Sequence, residues 1–286
     1  MRFYLLLAIM LWSCLFNVQA QTVTSEPASE PVESNWTRSW VINLNGNQAS
    51  YRNWSQGGAN SIAFIAGTLF RVKYNGEKFS NTSRINLRFG QADQDEIGIQ
   101  KTEDLIRLSN KTDYFLHDNR WSAFFEVAFR TQFAPGFDDN TGSTISDFMS
   151  PGYFTESLGI SYQPVDYFST QLGLGLKQTF VELDGLDQFY GLGEDEDIRG
   201  EGGITFAFDF TKELVKNFTY TTEFNSFTNL LIPVSSTDLY MSNIFTGKIN
   251  DFMSSSIEFS FLYDDDFISK LQIKQIISVG FNIVIL

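Results

Sequence analysis

The C-terminal segment 275–286 alternates between apolar side chains and small or polar ones. Its apolar positions are Val279, Phe281, Ile283 and Ile285, and the positions between them include Ser278, Gly280 and Asn282. Because successive side chains of a β-strand point to opposite sides, this segment is predicted to be a strand with one continuously apolar face. Such a face must be covered either by a protein core or by the hydrocarbon of a bilayer.

The same two-residue period recurs back to Trp40 and divides residues 37–286 into twelve predicted strands. A spanning helix needs about 20 consecutive apolar residues, whereas polar groups interrupt every apolar run beyond residue 20. Without such helices, a chain crosses a bilayer only as a closed barrel, because lipid-exposed backbone must be paired internally. The alternative is a secreted β-sandwich, whose strands are usually only about five or six residues long. The predicted fold is an all-β, antiparallel up-and-down transmembrane β-barrel of about twelve strands.

The predicted connections are alternately short and long, as expected when the two ends of a barrel face the periplasm and the cell surface. Short turns are predicted at 75–76, 117–119, 164–166, 211–217 and 250–254. Longer connections are predicted at 52–60, 90–103, 135–152, 182–197, 233–238 and 264–269. With an even number of strands, both termini lie at the end of the short turns. We therefore expect an outer-membrane location with both termini in the periplasm.

The N-terminal segment 1–20 has the organisation of a secretory signal peptide. Arg2 is its charged region, residues 3–12 are its apolar core, and residues 18–20 form a small-residue cleavage site that ends at Ala20. Alternatively, residues 11–14 resemble a lipobox, which would make Cys14 the lipidated first residue. Segment 21–36 is rich in Glu, Ser, Pro and Thr and is predicted to be a flexible periplasmic leader. The barrel domain is predicted to occupy residues 37–286.

Charged side chains on the predicted strands indicate the face that avoids lipid, because a Lys or Arg at the midplane of the lipid face costs about 2–4 kcal/mol. In one such strand Arg84 and Arg88 share a side, and Ile85 and Leu87 share the other. By this rule the lumen is predicted to be lined by Arg71, Lys73, Arg84, Arg88, Glu126, Arg130, Gln132, Lys177, Glu223, Lys248, Glu258 and Lys274. Glu156 and Glu201 are assigned to the same inward set.

The inward set contains more basic than acidic residues. The chain nevertheless has a formal net charge of -14, because acidic residues gather in the connections. Opposite charges can pair across the interior of a barrel of this size, since that interior is narrow. If the lumen conducts, its basic lean favours small anions or acidic solutes. A closed interior filled by salt bridges is the alternative.

Four segments resemble an uncharacterised family of Gram-negative outer-membrane β-barrel proteins catalogued as a domain of unknown function. These segments are Asn53-Trp54-Ser55-Gln56-Gly57-Gly58-Ala59-Asn60, residues 129–136, residues 262–266, and residues 271–274 leading into Val279-Gly280. Together they extend over about residues 37–286. The resemblance implies a barrel in the outer membrane and brings no activity and no catalytic residues. The C-terminal alternation also resembles the signal read by barrel-insertion machinery, although the chain ends on Leu286 rather than on an aromatic residue.

Two connections carry candidate binding groups. The loop motif contains Asn53, Trp54, Gln56, Gly57 and Gly58, in which the glycines allow a tight turn and Trp54 could stack on a sugar ring or a partner barrel. The acidic run Asp264, Asp265 and Asp266 is a weak candidate for surface divalent cations, which prefer carboxylate oxygen; solvated loop charge is the simpler interpretation. No cofactor is expected.

Enzymatic function is not predicted. The sole histidine, His117, lies in a predicted periplasmic turn, and no serine stands in a recognisable nucleophile motif. The expected partners are outer-membrane lipid, lipopolysaccharide and the insertion machinery, and the acidic balance argues against nucleic acid. Two functions remain: a narrow channel or solute-binding barrel, and a closed structural barrel that is a partner in an outer-membrane or envelope-assembly complex.

Overall fold

The computed structural model describes residues 34–50, 60–95, 97–138, 141–193, 196–265 and 268–286. The predicted signal peptide, the leader to residue 33 and the loop motif of Asn53, Trp54, Gln56, Gly57 and Gly58 lie outside these residues. The barrel unit is Asn35–Leu286. No helix within the described residues could cross a bilayer.

Twelve antiparallel strands form one closed barrel, which confirms the predicted fold class. They are β1 (Trp36–Ala49), β2 (Ser61–Asn75), β3 (Phe79–Gln94), β4 (Gly98–Phe115), β5 (Trp121–Thr131), β8 (Gly152–Val165), β9 (Phe168–Phe180), β10 (Ile198–Val215), β11 (Phe218–Asn229), β12 (Asp238–Lys248), β13 (Met253–Asp264) and β14 (Ile268–Val284). A short hairpin of β6 (Gly136–Phe137) and β7 (Thr144–Ser146) lies between β5 and β8.

The C-terminal strand closes the barrel by pairing with the first strand. In this pairing Ile283 lies opposite Ile42, and Phe281 lies opposite Leu44. Every other barrel strand pairs with its nearest barrel neighbours along the chain. The closed ring leaves no unpaired edge, and this is what allows strands to cross hydrocarbon.

The outer face of the barrel is apolar. Leu158, Leu172, Leu174 and Leu176 form a patch on β8 and β9 in which each side chain is at least 56% exposed. Aromatic side chains pack on one another toward the ends of the strands, as with Trp121 and Tyr162, whose ring centroids are 4.3 Å apart. An exposed apolar band with aromatic residues at its margins matches the surface that hydrocarbon and the lipid interface require.

The connections differ between the two ends of the barrel. The five connections at the end that holds both termini are short: residues 76–78, 116–120, 166–167, 216–217 and 249–252. The connections at the other end include the long segments 132–151 and 181–197 and the shorter segment 230–237. We call these the turn end and the loop end.

Two predicted connections are wrong in extent. Most of segment 90–103 is strand, because β3 continues to Gln94 and β4 begins at Gly98. The pairing of these two strands shifts register at Gly90/Gln91. The predicted turn 211–217 is reduced to residues 216–217 because β10 continues to Val215. Most side chains of these extensions are polar or charged, and their few apolar residues, such as Ile99 and Leu214, do not alternate over several positions, so hydrophobic alternation gives no signal for them.

Candidate functional site: the charged lumen

A network of four charged side chains crosses the lumen. Arg88 on β3 lies 2.9 Å from both Glu258 on β13 and Glu103 on β4, measured from Nη2 to a carboxylate oxygen. Lys274 on β14 donates to Glu103 Oε1 at 3.0 Å. Strands β2, β1 and β14 lie between β3 and β13 in the barrel. The network therefore extends across the interior rather than along one wall, and its two cations balance its two carboxylates.

A second ion pair crosses the lumen along a longer path. Arg107 Nη1 on β4 donates to Glu223 Oε1 on β11 at 2.6 Å. On one side of the ring four strands lie between β4 and β11, and on the other side six. The two strands thus face each other almost directly. Each side chain keeps about a third of its surface exposed, at 32% and 33%, so the pair still contacts the lumen space. We call the six residues of these two groups, Arg88, Glu103, Arg107, Glu223, Glu258 and Lys274, the charge belt.

The other predicted lumen residues lie at several depths. Arg71 pairs in register with Arg84 on the turn-end side of the belt, and Lys73 lies two residues closer to the turns. Glu126 on β5 accepts a hydrogen bond from Gln171 at 2.9 Å. Three more lie toward the two ends of the barrel. Arg130 lies toward the loop end with its guanidinium carbon 5.9 Å from the ring centre of Tyr240 on β12, Lys177 lies deep in the loop end, and Lys248 is at the turn end, where it donates to Asp251.

Lys177 is the centre of a buried charge cluster at the loop end. Its Nζ donates to Asp238 Oδ2 at 2.5 Å and lies 3.7 Å from Glu201 Oε2. Arg199 donates to the other oxygen of Glu201 at 2.7 Å. Here as well, the cations are matched by carboxylates.

Gln132 is placed outside the strands. It follows the last residue of β5, and its amide donates to Ala134 O and Ser146 Oγ, each at 2.9 Å. Its polar head therefore stabilises the long connection.

Sequence reasoning missed two of the six belt residues, Arg107 and Glu103, which take part in three of its four ion pairs. Arg107 and Glu103 lie on β4, where alternation is hidden because Leu105 points inward and Asn110 points outward. Asp209, which faces Arg84 and Arg107 across the lumen, was missed as well. Aligning β4 with β3, whose alternation is clear, would have placed Arg107 on the lumen side, because Arg107 pairs with the inward Asn86.

The assignment of Glu156 to the lumen is wrong. Glu156 pairs in register with Val127 and lies on the same face of β8 as the exposed Leu158. It accepts a hydrogen bond from Gln178 on the neighbouring strand at 2.8 Å. This bond partly satisfies the carboxylate on the outer wall.

The two long connections at the loop end pack against each other. The hydroxyl of the buried Ser150 accepts hydrogen bonds from the backbone N–H groups of Glu182 and Leu183 at 2.9 and 2.8 Å. Tyr190 donates to the carbonyl of Ile145 at 2.7 Å. Burial raises the pKa of Tyr190, so its hydroxyl remains a donor at neutral pH. These contacts order one side of the loop end.

The acidic loop candidates are partly described. Asp265 accepts hydrogen bonds from Ser236 and Tyr263, and hydrogen bonds from Ser269 and Ser236 hold the pKa of Asp265 below its usual range. Asp266 lies outside the described residues, as do Asn53, Trp54, Gln56, Gly57 and Gly58 of the loop motif. Where side chains are described, no group of three or more His, Cys, Asp or Glu residues is arranged to hold a metal ion.

The closed ring, apolar outer face and charged interior define a transmembrane β-barrel protein of the outer-membrane type. Residues 46–137 match the model of a family described as a protein of unknown function (DUF3078). This match is less than half of the chain and includes two of the four segments on which the resemblance rests. It confirms the resemblance to a family of unknown function over that part. No curated protein sequence matches the chain.

Solved structures with a similar arrangement are outer-membrane barrels. An outer-membrane channel from Pseudomonas putida F1 has 9% identity and a TM-score of 0.41, and the match covers 91% of this chain and 99% of that one. The outer-membrane channel DcaP of Acinetobacter baumannii has 8% identity, coverages of 87% and 96%, and a TM-score of 0.36. The translocator domain of the autotransporter NalP from Neisseria meningitidis has 9% identity, coverages of 86% and 87%, and a TM-score of 0.36. At these values no solute or residue role is carried over.

Proposed function

We propose that the protein is a narrow outer-membrane channel for small solutes, with the charge belt as its constriction. The observation that carries this proposal is that inward-pointing cations at the belt and beside it remain in contact with solvent. Arg84 lies on the turn-end side of the belt, Arg130 pairs in register with Arg107 of the belt, and both are exposed although they point into the barrel. The solvent that they contact is therefore in the lumen.

Space next to the belt supports the same function. A cavity of about 330 Å³ adjoins Lys274, and its lining is mixed, with polar Asn45 and Ser278 beside apolar Ile65 and Ile276. This volume is within the range of small-molecule sites, about 300–1,000 Å³.

The proposed orientation places the turn end and both termini in the periplasm and the loop end at the cell surface. It is supported by the difference in connection length, because surface connections of such barrels are the longer ones. In this orientation the apolar band contacts outer-membrane lipid, the loop end contacts lipopolysaccharide and any divalent cations bound there, and the C-terminal strand is presented to the insertion machinery.

Single-channel recording in planar bilayers tests the channel. We expect small stepwise currents from the wild-type protein and larger ones from Arg88→Ala, because Arg88 holds two carboxylates across the lumen. Lys248→Ala is the matched control: it removes a cation whose described partner, Asp251, lies in an exposed turn, so conductance should not change. Electrical silence from folded wild-type and Arg88→Ala protein would eliminate the proposal.

One observation favours the second candidate, a closed structural barrel acting as a partner in an outer-membrane complex. The Arg107–Glu223 contact at 2.6 Å joins nearly opposite walls directly. If the belt never opens, the functional surfaces are the ordered connections at the loop end. Silence of the belt variants together with co-purification of a specific envelope protein would support this candidate.

A further inference from the structure

The charge belt is neutral overall, and each of its cations faces its carboxylate from a different strand. A solute that passes between Arg107 and Glu223 must take these two groups apart. Each group then loses its charge-assisted hydrogen bond to the other, and a solute that replaces this bond is favoured over one that does not.

The charge of the solute decides whether Arg107 and Glu223 both gain a new partner. An anion can satisfy Arg107 but leaves Glu223 without its cation, and a cation does the reverse. An uncharged solute offers only weaker hydrogen bonds to both. A solute that carries a carboxylate and an ammonium group can satisfy both groups at once, since charge-assisted hydrogen bonds are roughly twice as strong as neutral ones.

The surroundings of the pair fix the direction in which such a solute would lie. Glu223 is held by a hydrogen bond from Asn225 Nδ2 at 2.9 Å, on the β11 wall. Beyond the pair, Arg71 and Arg84 lie on the β2–β3 wall, and Asp209 lies on β10 next to β11. Arg71, Arg84 and Arg107 thus lie on β2–β4 and Asp209 and Glu223 lie on β10–β11, while Glu126 on β5 is already held by Gln171. At the pair itself, a dipolar solute would therefore lie with its carboxylate toward β4 and its ammonium group toward β11.

We propose that the channel selects small zwitterionic solutes, such as free amino acids, over ions of either sign and over uncharged solutes of equal size. This inference rests on the proposed channel function and names its substrate class. In this mechanism the solute replaces each half of the Arg107–Glu223 pair in turn, and the pair forms again behind it.

Efflux from proteoliposomes tests the selectivity. The probes are radiolabelled glycine, its uncharged isomer glycolamide and the anion glycolate, each corrected for leakage from protein-free liposomes. With wild-type protein we expect glycine to leave about tenfold faster than either other solute, corresponding to about 1.4 kcal/mol of differential stabilisation. Equal rates for glycine and glycolamide would overturn the inference and leave the channel in place.

Two double variants separate selectivity from opening. Arg107→Gln with Glu223→Gln removes both charges of the pair. Glycolamide efflux should then rise, and the ratio of glycine efflux to glycolamide efflux should fall about threefold or more. Some preference should remain, because the network of Arg88, Glu103, Glu258 and Lys274 is unchanged in this variant. The exchanged pair, Arg107→Glu with Glu223→Arg, restores both charges on opposite walls, and the preference should return. A preference unchanged in the first variant would overturn the inference. Absence of efflux for every solute, from wild type and from both folded variants, would instead overturn the channel itself.

Discussion

Leu174→Arg tests the assignment of the two barrel faces. Leu174 is the central residue of β9, with six residues of the strand on each side. Its side chain is 60% exposed and lies in register with Leu158 on β8 and Ile204 on β10. It therefore points outward near the middle of the apolar band.

An arginine at the bilayer midplane on this face costs about 2–4 kcal/mol. For a slope of about 2 kcal/mol per molar urea, the unfolding midpoint should fall by about 1–2 M. The assay is equilibrium unfolding of the barrel in lipid vesicles, followed by tryptophan fluorescence and by the heat-modifiable mobility of the folded barrel on gels.

The matched control is Gln171→Arg, three residues away on the same strand. Gln171 points into the lumen and donates to Glu126, so an arginine there keeps an acceptor for its charge. Its effect should stay within about 1 kcal/mol. A destabilising Gln171→Arg combined with a neutral Leu174→Arg would invert the faces and refute the assignment of every lumen residue.

Three further predictions concern packing, the loop end and the turn end. Gly159→Ala should destabilise the barrel by about 1–3 kcal/mol in the same assay, because an added Cβ would overlap the backbone carbonyl of Leu172. Gly200→Ala is the control: an added Cβ there has nothing within 4 Å, so the free energy of unfolding should change by less than about 0.5 kcal/mol. Ser150→Ala leaves the N–H groups of Glu182 and Leu183 without their acceptor, a local cost of about 1–3 kcal/mol, and limited proteolysis should cut segment 181–193 faster while the barrel stays folded. A hydrogen bond from Lys248 and its charge hold the pKa of Asp251 below its usual range, so ionised Asp251 is favoured in the folded protein. The contact should persist above the unfolded-state pKa and be lost as the pH falls through the folded-state pKa; an NMR titration of the Asp251 carboxyl should show this, and Lys248→Ala should raise the midpoint.

The barrel could be predicted from the sequence because lipid imposes the same demand on each strand. A strand such as β9 must present apolar side chains at every second position, and Leu172, Leu174 and Leu176 do so. Strand β4 lacks this regularity, because its outward Asn110 is satisfied by hydrogen bonds with Asn81 and Ser83 on β3. Such mutual pairing lets polar side chains lie on the outer wall and removes the signal that locates Arg107.

The partners within the belt could not be predicted at all. Arg107 and Glu223 are 116 positions apart in the chain, and alternation states only that both point inward. Which charges meet depends on the closure of the ring and on the stagger of each strand against the next. A difference of two residues in that stagger keeps every face unchanged and yet brings different charges together. The constriction is therefore a property of the closed barrel, and no single strand contains it.

Glu156 explains why charge alone does not assign a face. Turning β8 over would move this carboxylate into the lumen, where sequence reasoning placed it, but would also move Phe154, Leu158 and Ile160 inward. A glutamate on the lipid face costs less than the about 2–4 kcal/mol of a basic residue. Removing each large apolar side chain from apolar surroundings costs about 1.5–3 kcal/mol, so three of them outweigh the single carboxylate. The hydrogen bond from Gln178 lowers the remaining cost further. The face of a strand is set by the sum over its residues, and one charge can lie on the lipid side when its neighbours in register are apolar.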